Sequence, residues 1–189
     1  MEFQQTPLQG LYVIELDKIA DDRGFFARSF CTQEFLKAGL PTNFPQCNVS
    51  HNLVRGTIRG MHYQSVPYQE AKLVRCTHGE VFDVVADLRP ESETFGQTFS
   101  SNLSAENWRM LFIPKGFAHG FQTVTDRAEV FYQMSDLYQP GYASGIRFDD
   151  PALDISWPLE VSNISNADLA LPSFVEYQQC APKNQGSEQ

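Results

Sequence analysis

The chain has 189 residues, of which 42% are hydrophobic and 20% charged, and its formal net charge is −9. This length buries a core without disulfide staples, so we predict one domain over residues 1–180 and a disordered polar tail over 181–189. The acidic balance argues against a nucleic-acid surface, which needs a basic stripe. No apolar run reaches the roughly 18 residues that cross a bilayer, which argues against a membrane protein.

The start of the chain and its cysteines indicate a compartment. Met1 is followed by no basic segment and no apolar segment, so no secretory signal is recognised. Cys31, Cys47, Cys76 and Cys180 are scattered, with no CxxC pair. This spacing predicts reduced thiols, and we expect a cytoplasmic protein.

Alternation of apolar and polar residues, rich in β-branched and aromatic side chains, predicts ten strands. In chain order they cover residues 11–16, 24–30, 46–50, 57–64, 72–77, 81–88, 96–103, 109–113, 120–124 and 128–134. One short helix is predicted over residues 32–38, with Thr32 as N-cap, Glu34 in the first turn and Gly39 as the C-terminal stop. Many closely spaced short strands indicate an all-β fold, an antiparallel sandwich or jelly-roll β-barrel, and not a βαβ fold.

Two spaced motifs raise the question of a metal site. A GxxxxxHxQ motif ends at Gln64, and a PxGxxH motif about fifty residues later ends at His119. Together they resemble the paired signatures of the cupin superfamily, whose fold is a jelly-roll β-barrel. Metal-binding cupins usually have a second histidine where this chain has Gln64, and the nearest carboxylate, Glu70, lies six residues further on. His62 and His119 alone are too few for a tight transition-metal site, so we predict no metal.

A longer set of motifs runs through the whole chain. In order they are DRGFF (22–26), QxNxS (46–50), RGMHYQ (59–64), KLVRC (72–76), GEVFDV (79–84), DLR (87–89), IPxGFAHGF (113–121), Tyr132, YxP (138–140), DP (150–151), IxWP (155–158) and ISxxD (164–168). This set is similar to the dTDP-4-dehydrorhamnose 3,5-epimerase family of deoxysugar biosynthesis, from about residue 8 to residue 172. A single RGxH would be a weak match, whereas the ordered set is strong.

The resemblance implies cofactor-independent epimerisation of a nucleotide-linked 4-keto-6-deoxyhexose. Both C3 and C5 neighbour the keto group, so their hydrogens are acidic, and inversion needs a base on one face, an acid on the other and a positive group near O4. His62 matches the family's base and Asp168 its partner. Tyr132 matches the opposing proton donor, and Lys72 the cation. Without the resemblance, a strand histidine or tyrosine is more often a packing residue, and such a lysine is more often solvated.

The resemblance also implies a substrate-binding set and a partner. Arg23 and Arg59 match residues that grip the diphosphate, whose oxygens suit the guanidinium fork. Family members are homodimers with exchanged N-terminal strands, which would bring Arg23 and Phe26 to the partner's site. The other candidates for contact with the base or sugar are Gln46, Asn48, His119 and Tyr138. Asp83 matches an inward-pointing position like His119, and a structural role is equally open for both.

Arg28 departs from the family pattern, which commonly has glutamate at this position. A carboxylate accepts the N3–H of thymine, whereas arginine suits the N3 acceptor of cytosine. A CDP-linked sugar therefore stays open, and an outward-facing Arg28 is an equal alternative. Inversion at only C3 or C5 and a non-catalytic nucleotide-sugar-binding cupin also stay open.

The spacing of Arg59 and His62 sets a structural requirement. Residues three apart on a regular strand point to opposite faces. Both side chains reach one site only if Gly60 allows a bulge or twist between them.

Overall fold

Thirteen strands and three short helices form the chain over residues 1–180, the part that the computed structural model describes. The tail predicted over 181–189 lies outside the described residues. The strands are β1 Glu2–Gln5, β2 Tyr12–Glu15, β3 Ile19–Asp21, β4 Gly24–Phe26, β5 Gln46–Asn52, β6 Ile58–Gln64, β7 Lys72–His78, β8 Glu80–Asp87, β9 Thr98–Ser104, β10 Met110–Ile113, β11 Phe117–Thr123, β12 Ala128–Met134 and β13 Ala143–Gly145. The helices are α1 Thr32–Lys37, α2 Asn166–Leu169 and α3 Phe174–Cys180.

Two antiparallel sheets enclose the main core. The six-stranded sheet has the order β1-β2-β10-β7-β12-β5, and the five-stranded sheet has the order β13-β6-β11-β8-β9. Strands that are distant in sequence lie side by side in both sheets, as in a jelly roll. The predicted all-β jelly-roll class is confirmed.

Apolar side chains from both sheets meet between them. Val74 and Val130 come from the six-stranded sheet, Val85 and Leu103 come from the five-stranded sheet, and all four are buried. Each such side chain stabilises the fold by about 1.5–3 kcal/mol relative to an exposed one. This core supports the neighbouring inward positions of the same strands, where the polar residues of the site lie.

The ten predicted strands are present, with ends that differ by a few residues. Strand β4 ends at Phe26, whereas the predicted strand extended to residue 30. It is shorter because β3 and β4 form a separate hairpin only three residue pairs long. The prediction of Thr32 as N-cap is wrong, since Cys31 takes that place in an extended conformation with no side-chain cap hydrogen bond. Gly39 follows the helix at a positive φ of 73°, as its predicted role as stop requires.

The sequence pattern did not predict five short elements. These are β1, β3, β13, α2 and α3, which have three to seven residues each. None of the helices within residues 1–180 is long and apolar enough to cross a membrane. In the same part of the chain, Cys31, Cys47 and Cys76 are free thiols.

Candidate active site

A pocket of about 880 Å³ lies between the two sheets and α2. Its lining includes strands of both sheets, so side chains can approach a ligand from opposite walls. Nine of the twelve sequence-predicted site residues line it: Gln46, Asn48, Arg59, His62, Lys72, His119, Tyr132, Tyr138 and Asp168.

A β-bulge in β6 brings Arg59 and His62 into this pocket together. His62 pairs with His119 and Arg59 pairs with Phe121, so three steps along β6 match two steps along β11. Gly60 has a φ of 117°, and a Cβ there would lie 2.6 Å from the Cα of Gly120. Only glycine fits this close approach. The bulge that the spacing required is confirmed.

His62 and Asp168 form a dyad at the pocket wall. His62 Nε2 lies 2.7 Å from Asp168 Oδ1, and the histidine side chain is half exposed while the aspartate is buried. Asp168 is placed by α2, whose N-cap Ser165 accepts a hydrogen bond from the Asp168 N–H at 3.0 Å. The Gly60 N–H donates to Asp168 Oδ2 at 3.4 Å. The carboxylate therefore joins the helix, the bulge and the imidazole.

The surroundings of His62 favour a neutral imidazole. Burial lowers its pKa below the ordinary value, and the positive charge of Lys72 acts in the same direction. The hydrogen bond and negative charge of Asp168 oppose this and hold the pKa up. A neutral imidazole at neutral pH can accept a proton.

Tyr132 approaches the pocket from the six-stranded sheet, opposite the wall that carries His62. Its cross-strand neighbours are Val74 and Asn48. Burial raises the pKa of Tyr132, and the negative charge of Glu70 raises it further. The phenol therefore stays protonated at neutral pH and can donate a proton.

Lys72 and Glu70 form a buried ion pair in the same wall. Lys72 Nζ lies 3.1 Å from Glu70 Oε1, and their side chains are 10% and 4% exposed. The Lys72 ammonium also donates to the His62 carbonyl at 3.4 Å. From the sequence, Glu70 is considered only as a metal ligand. Its position two residues before Lys72 is the one signal that could have indicated a shared site.

Asn52 holds the Arg59 side chain in place. Arg59 Nε donates to Asn52 Oδ1 at 2.6 Å, and the Asn52 amide donates to the Ser50 and Ala128 carbonyls at 3.1 Å and 3.2 Å. Asn52 is only 2% exposed, so its orientation is set by the fold. Sequence reasoning missed this residue, although it continues the alternating polar series of β5 by one step.

Gln64 is a structural clamp for the loop that carries Tyr138. Its amide donates to the Tyr68 and Leu137 carbonyls at 2.9 Å and 3.2 Å, and its oxygen accepts from the Gln139 N–H at 2.7 Å. In residues 1–180, no three His, Cys, Asp or Glu side chains are grouped so that they could hold a metal ion. Through its three hydrogen bonds, Gln64 supports the rim of the pocket.

Two further polar contacts shape the pocket. His119 Nε2 lies 2.9 Å and 3.0 Å from the two carboxylate oxygens of Asp83, and both residues are buried. Gln46 accepts a hydrogen bond from the Tyr138 N–H at 2.9 Å. The first contact fixes the His119 ring, and the second fixes the exposed Tyr138 at the rim.

Arg23, Phe26 and Arg28 do not line this pocket. Arg23 forms an ion pair with Asp21 at the β3–β4 turn, and Phe26 is 71% exposed. Arg28 Nη1 lies 2.9 Å from Glu34 Oε1 at the start of α1. The hairpin residues therefore remain available to another surface.

Comparison with known proteins identifies the family. The family model described as dTDP-4-dehydrorhamnose 3,5-epimerase matches residues 5–176. The chain belongs to the dTDP-4-dehydrorhamnose 3,5-epimerase family. A curated epimerase of that name from Methanothermobacter thermautotrophicus is 46% identical over 159 residues, which cover 84% of this chain and 85% of the relative. The dTDP-4-dehydrorhamnose 3-epimerase of Streptomyces niveus is 36% identical and covers 89% of this chain and 81% of the relative.

A solved epimerase structure agrees with this assignment. The dTDP-6-deoxy-D-glucose-3,5-epimerase of Legionella pneumophila, in complex with dTDP-4-keto-L-rhamnose, superimposes with a TM-score of 0.85. Its identity is 40%, and the match covers 91% of this chain and 92% of that chain. As a member of the epimerase family, this chain is an isomerase with the cupin-type jelly-roll fold.

Proposed function

We propose that this enzyme inverts C3 and C5 of a dTDP-linked 4-keto-6-deoxyglucose. The observation that carries the proposal is the placement of the His62–Asp168 dyad and Tyr132 on opposite walls of one pocket. A base and an acid on opposite faces of a sugar ring are what inversion next to a ketone needs. The bound dTDP-keto-sugar in the Legionella relative supports the choice of nucleotide and sugar.

The proton transfers follow from the dyad. His62 Nε2–H donates to Asp168, which leaves Nδ1 as the base. Nδ1 takes the proton from C3 or C5, and the electron pair of that C–H bond forms an enolate whose charge lies on O4. Lys72 stabilises O4, and Tyr132 delivers a proton to the opposite face of the same carbon. Solvent then takes the extra proton from His62 and returns a proton to Tyr132.

Deuterium exchange in D2O tests this function. Incorporation at both C3 and C5 of the dTDP-keto-sugar is the expected result. Incorporation at one carbon would assign a mono-epimerase, a candidate that the name of the Streptomyces niveus relative favours. No incorporation would leave a nucleotide-sugar-binding protein and contradict the proposal.

The nucleotide and the metal are tested in the same assay. We expect full exchange after treatment with EDTA, because His62 and Lys72 supply the base and the cation. A preference for dTDP over the CDP-linked sugar is expected, since the Arg28 guanidinium is engaged by Glu34. Faster exchange of the CDP-linked sugar would indicate that Arg28 contacts the cytosine edge.

We also propose that the β3–β4 hairpin serves the pocket of a second copy in a homodimer. Its support is exposure, since Ile19 and Phe26 are 70% and 71% exposed and the hairpin belongs to neither large sheet. Arg23 would then reach the diphosphate and Phe26 the base in the partner's site.

Mixed dimers test the exchange of hairpins. R23A/F26A and H62N chains are each expected to be inactive alone, and their mixture should regain up to one working site per dimer. That site combines an intact His62 with an intact hairpin from the other chain. A mixture that stays inactive although mixed dimers form would show that the hairpin serves its own pocket.

A further inference from the structure

The buried pair of Glu70 and Lys72 leaves one donor and one acceptor unused at the pocket wall. An ammonium has three donors, and Lys72 directs two of them to Glu70 Oε1 and the His62 carbonyl. Glu70 uses Oε1 for Lys72, while Oε2 is buried and has no hydrogen-bond partner within residues 1–180. A buried carboxylate oxygen without a partner costs free energy unless a ligand donor reaches it.

Glu70 belongs to the wall of the proposed active site. Glu70 lines the same pocket as His62 and Tyr132. The negative charge of Glu70 also contributes to the raised pKa of Tyr132. Because Glu70 borders the space that a bound sugar would fill, a sugar donor is the candidate partner for Oε2.

We propose that Glu70 Oε2 accepts a hydrogen bond from the C3 hydroxyl of the sugar and selects substrates that carry it. The inference rests on the proposed function, in which Lys72 donates to O4. Glu70 is paired with Lys72, so its free oxygen serves a group next to O4. Of the two carbons beside C4, only C3 bears a hydroxyl, because C5 bears the methyl group and the ring oxygen. The pair thus matches a keto group next to a hydroxyl group, with Lys72 as the donor to the keto oxygen and Glu70 as the acceptor from the hydroxyl.

Glu70→Gln separates recognition from positioning. Lys72 only donates, so the amide oxygen must face it, and the amide NH2 then takes the place of Oε2. The size of the side chain and its contact with Lys72 are kept, while a charged acceptor becomes a neutral donor. Glu15→Gln is the matched control, because Glu15 pairs with Arg109 at the surface, with side chains 40% and 42% exposed.

The experiment measures kcat/KM for deuterium uptake at C5 with three dTDP-linked sugars: the 4-keto-6-deoxyglucose, its 3-deoxy analogue and its 2-deoxy analogue. The wild type should disfavour the 3-deoxy analogue by about 10- to 100-fold, the range for a hydrogen bond to a charged group. The 2-deoxy analogue should lose much less. E70Q should reduce the 3-deoxy discrimination to about threefold or less and leave the 2-deoxy ratio unchanged, whereas E15Q should keep both ratios.

Other outcomes overturn the inference. If E70Q slows all three sugars by one common factor, Glu70 only positions Lys72 and recognises no hydroxyl. If the wild type exchanges nothing, the proposed function fails, and the same ratios are then measured as dissociation constants by calorimetry. If E70Q does not fold, Glu70→Asp retracts the carboxylate and should weaken the 3-deoxy discrimination, and full discrimination by E70D would refute the contact.

Discussion

His62 Nε2 meets Asp168 Oδ1 at 2.7 Å across 106 residues of chain. The contact depends on two local devices, the bulge at Gly60 and the capped turn of α2. Because the carboxylate is buried and also accepts the Gly60 N–H, it orients the imidazole toward the pocket. The electrostatic environment of His62, the proposed base, therefore depends on Asp168.

Asp168→Asn should move the acid limb of the pH profile. Asp168 raises the pKa of His62 against the effect of burial, so its loss lowers that pKa further. The acid limb of kcat/KM should shift to lower pH, while kcat falls by about 10²- to 10⁴-fold. Exposed Asp154→Asn is the control. An acid limb that moves to higher pH would contradict this account.

His62→Asn should abolish deuterium exchange at both C3 and C5. The variant removes the proposed base and keeps a side chain of similar polarity. We expect a melting temperature within a few degrees of wild type, because His62 is half exposed. His78→Asn, an exposed histidine at the end of β7, should exchange normally. Substantial exchange by H62N would refute the base.

Tyr132→Phe should impair inversion more than deprotonation. Phenylalanine keeps the ring that packs on the core but cannot deliver a proton to the opposite face. NMR should therefore show deuterium uptake with retained configuration, and little inverted product. Tyr12→Phe is the control, at a tyrosine outside the pocket. Equal losses of exchange and inversion would argue against the donor role.

Gly60→Ala should destabilise the fold and separate the site residues. A Cβ there would lie 2.6 Å from Gly120 Cα and 2.7 Å from the His119 carbonyl oxygen. We expect a loss of at least about 2 kcal/mol in the free energy of unfolding, measured in urea. Gly39 also has a positive φ, of 73°, but a Cβ there would meet no neighbour within 4 Å. Gly39→Ala should therefore lower the free energy of unfolding by only about 1–2 kcal/mol. Equal losses would contradict the steric explanation.

Asn52→Ala should weaken binding and spare the chemical step. Arg59 loses the acceptor that orients its guanidinium, so KM for the dTDP-sugar should rise by about tenfold with kcat within about threefold of wild type. Raising the ionic strength should narrow the difference from wild type, because salt screens the Arg59–diphosphate contact that the variant has already weakened. A fall in kcat with unchanged KM would place Arg59 in the chemical step and contradict the proposed role.

The sequence predicted the strands well because their signal is local. Alternation along β6 or β12 follows from which residues face the core, and each strand carries that pattern by itself. The elements it missed have no such pattern. β13 is three residues long and exists because it pairs with β6, and α2 is one capped turn.

The residues of the candidate site also divide into those that the sequence indicated and those that it did not. Ordered motifs were enough to indicate His62, Tyr132 and Asp168, and the three-residue spacing of Arg59 and His62 was enough to require a bulge. The partners Asn52 and Glu70 were not indicated, because a contact across strands depends on register and on the approach of two sheets. Those quantities are properties of the whole fold.

By itself, the sequence determined the strand pattern, the family and the kind of chemistry, since these depend on residue types in order along the chain. Only the tertiary structure decided that Gln64 clamps a loop, that Asn52 orients Arg59 and that Glu70 Oε2 is buried without a hydrogen-bond partner in the described part of the chain. The physical reason is that hydrogen bonds act over about 3 Å, and only the folded chain brings such distant residues within that range.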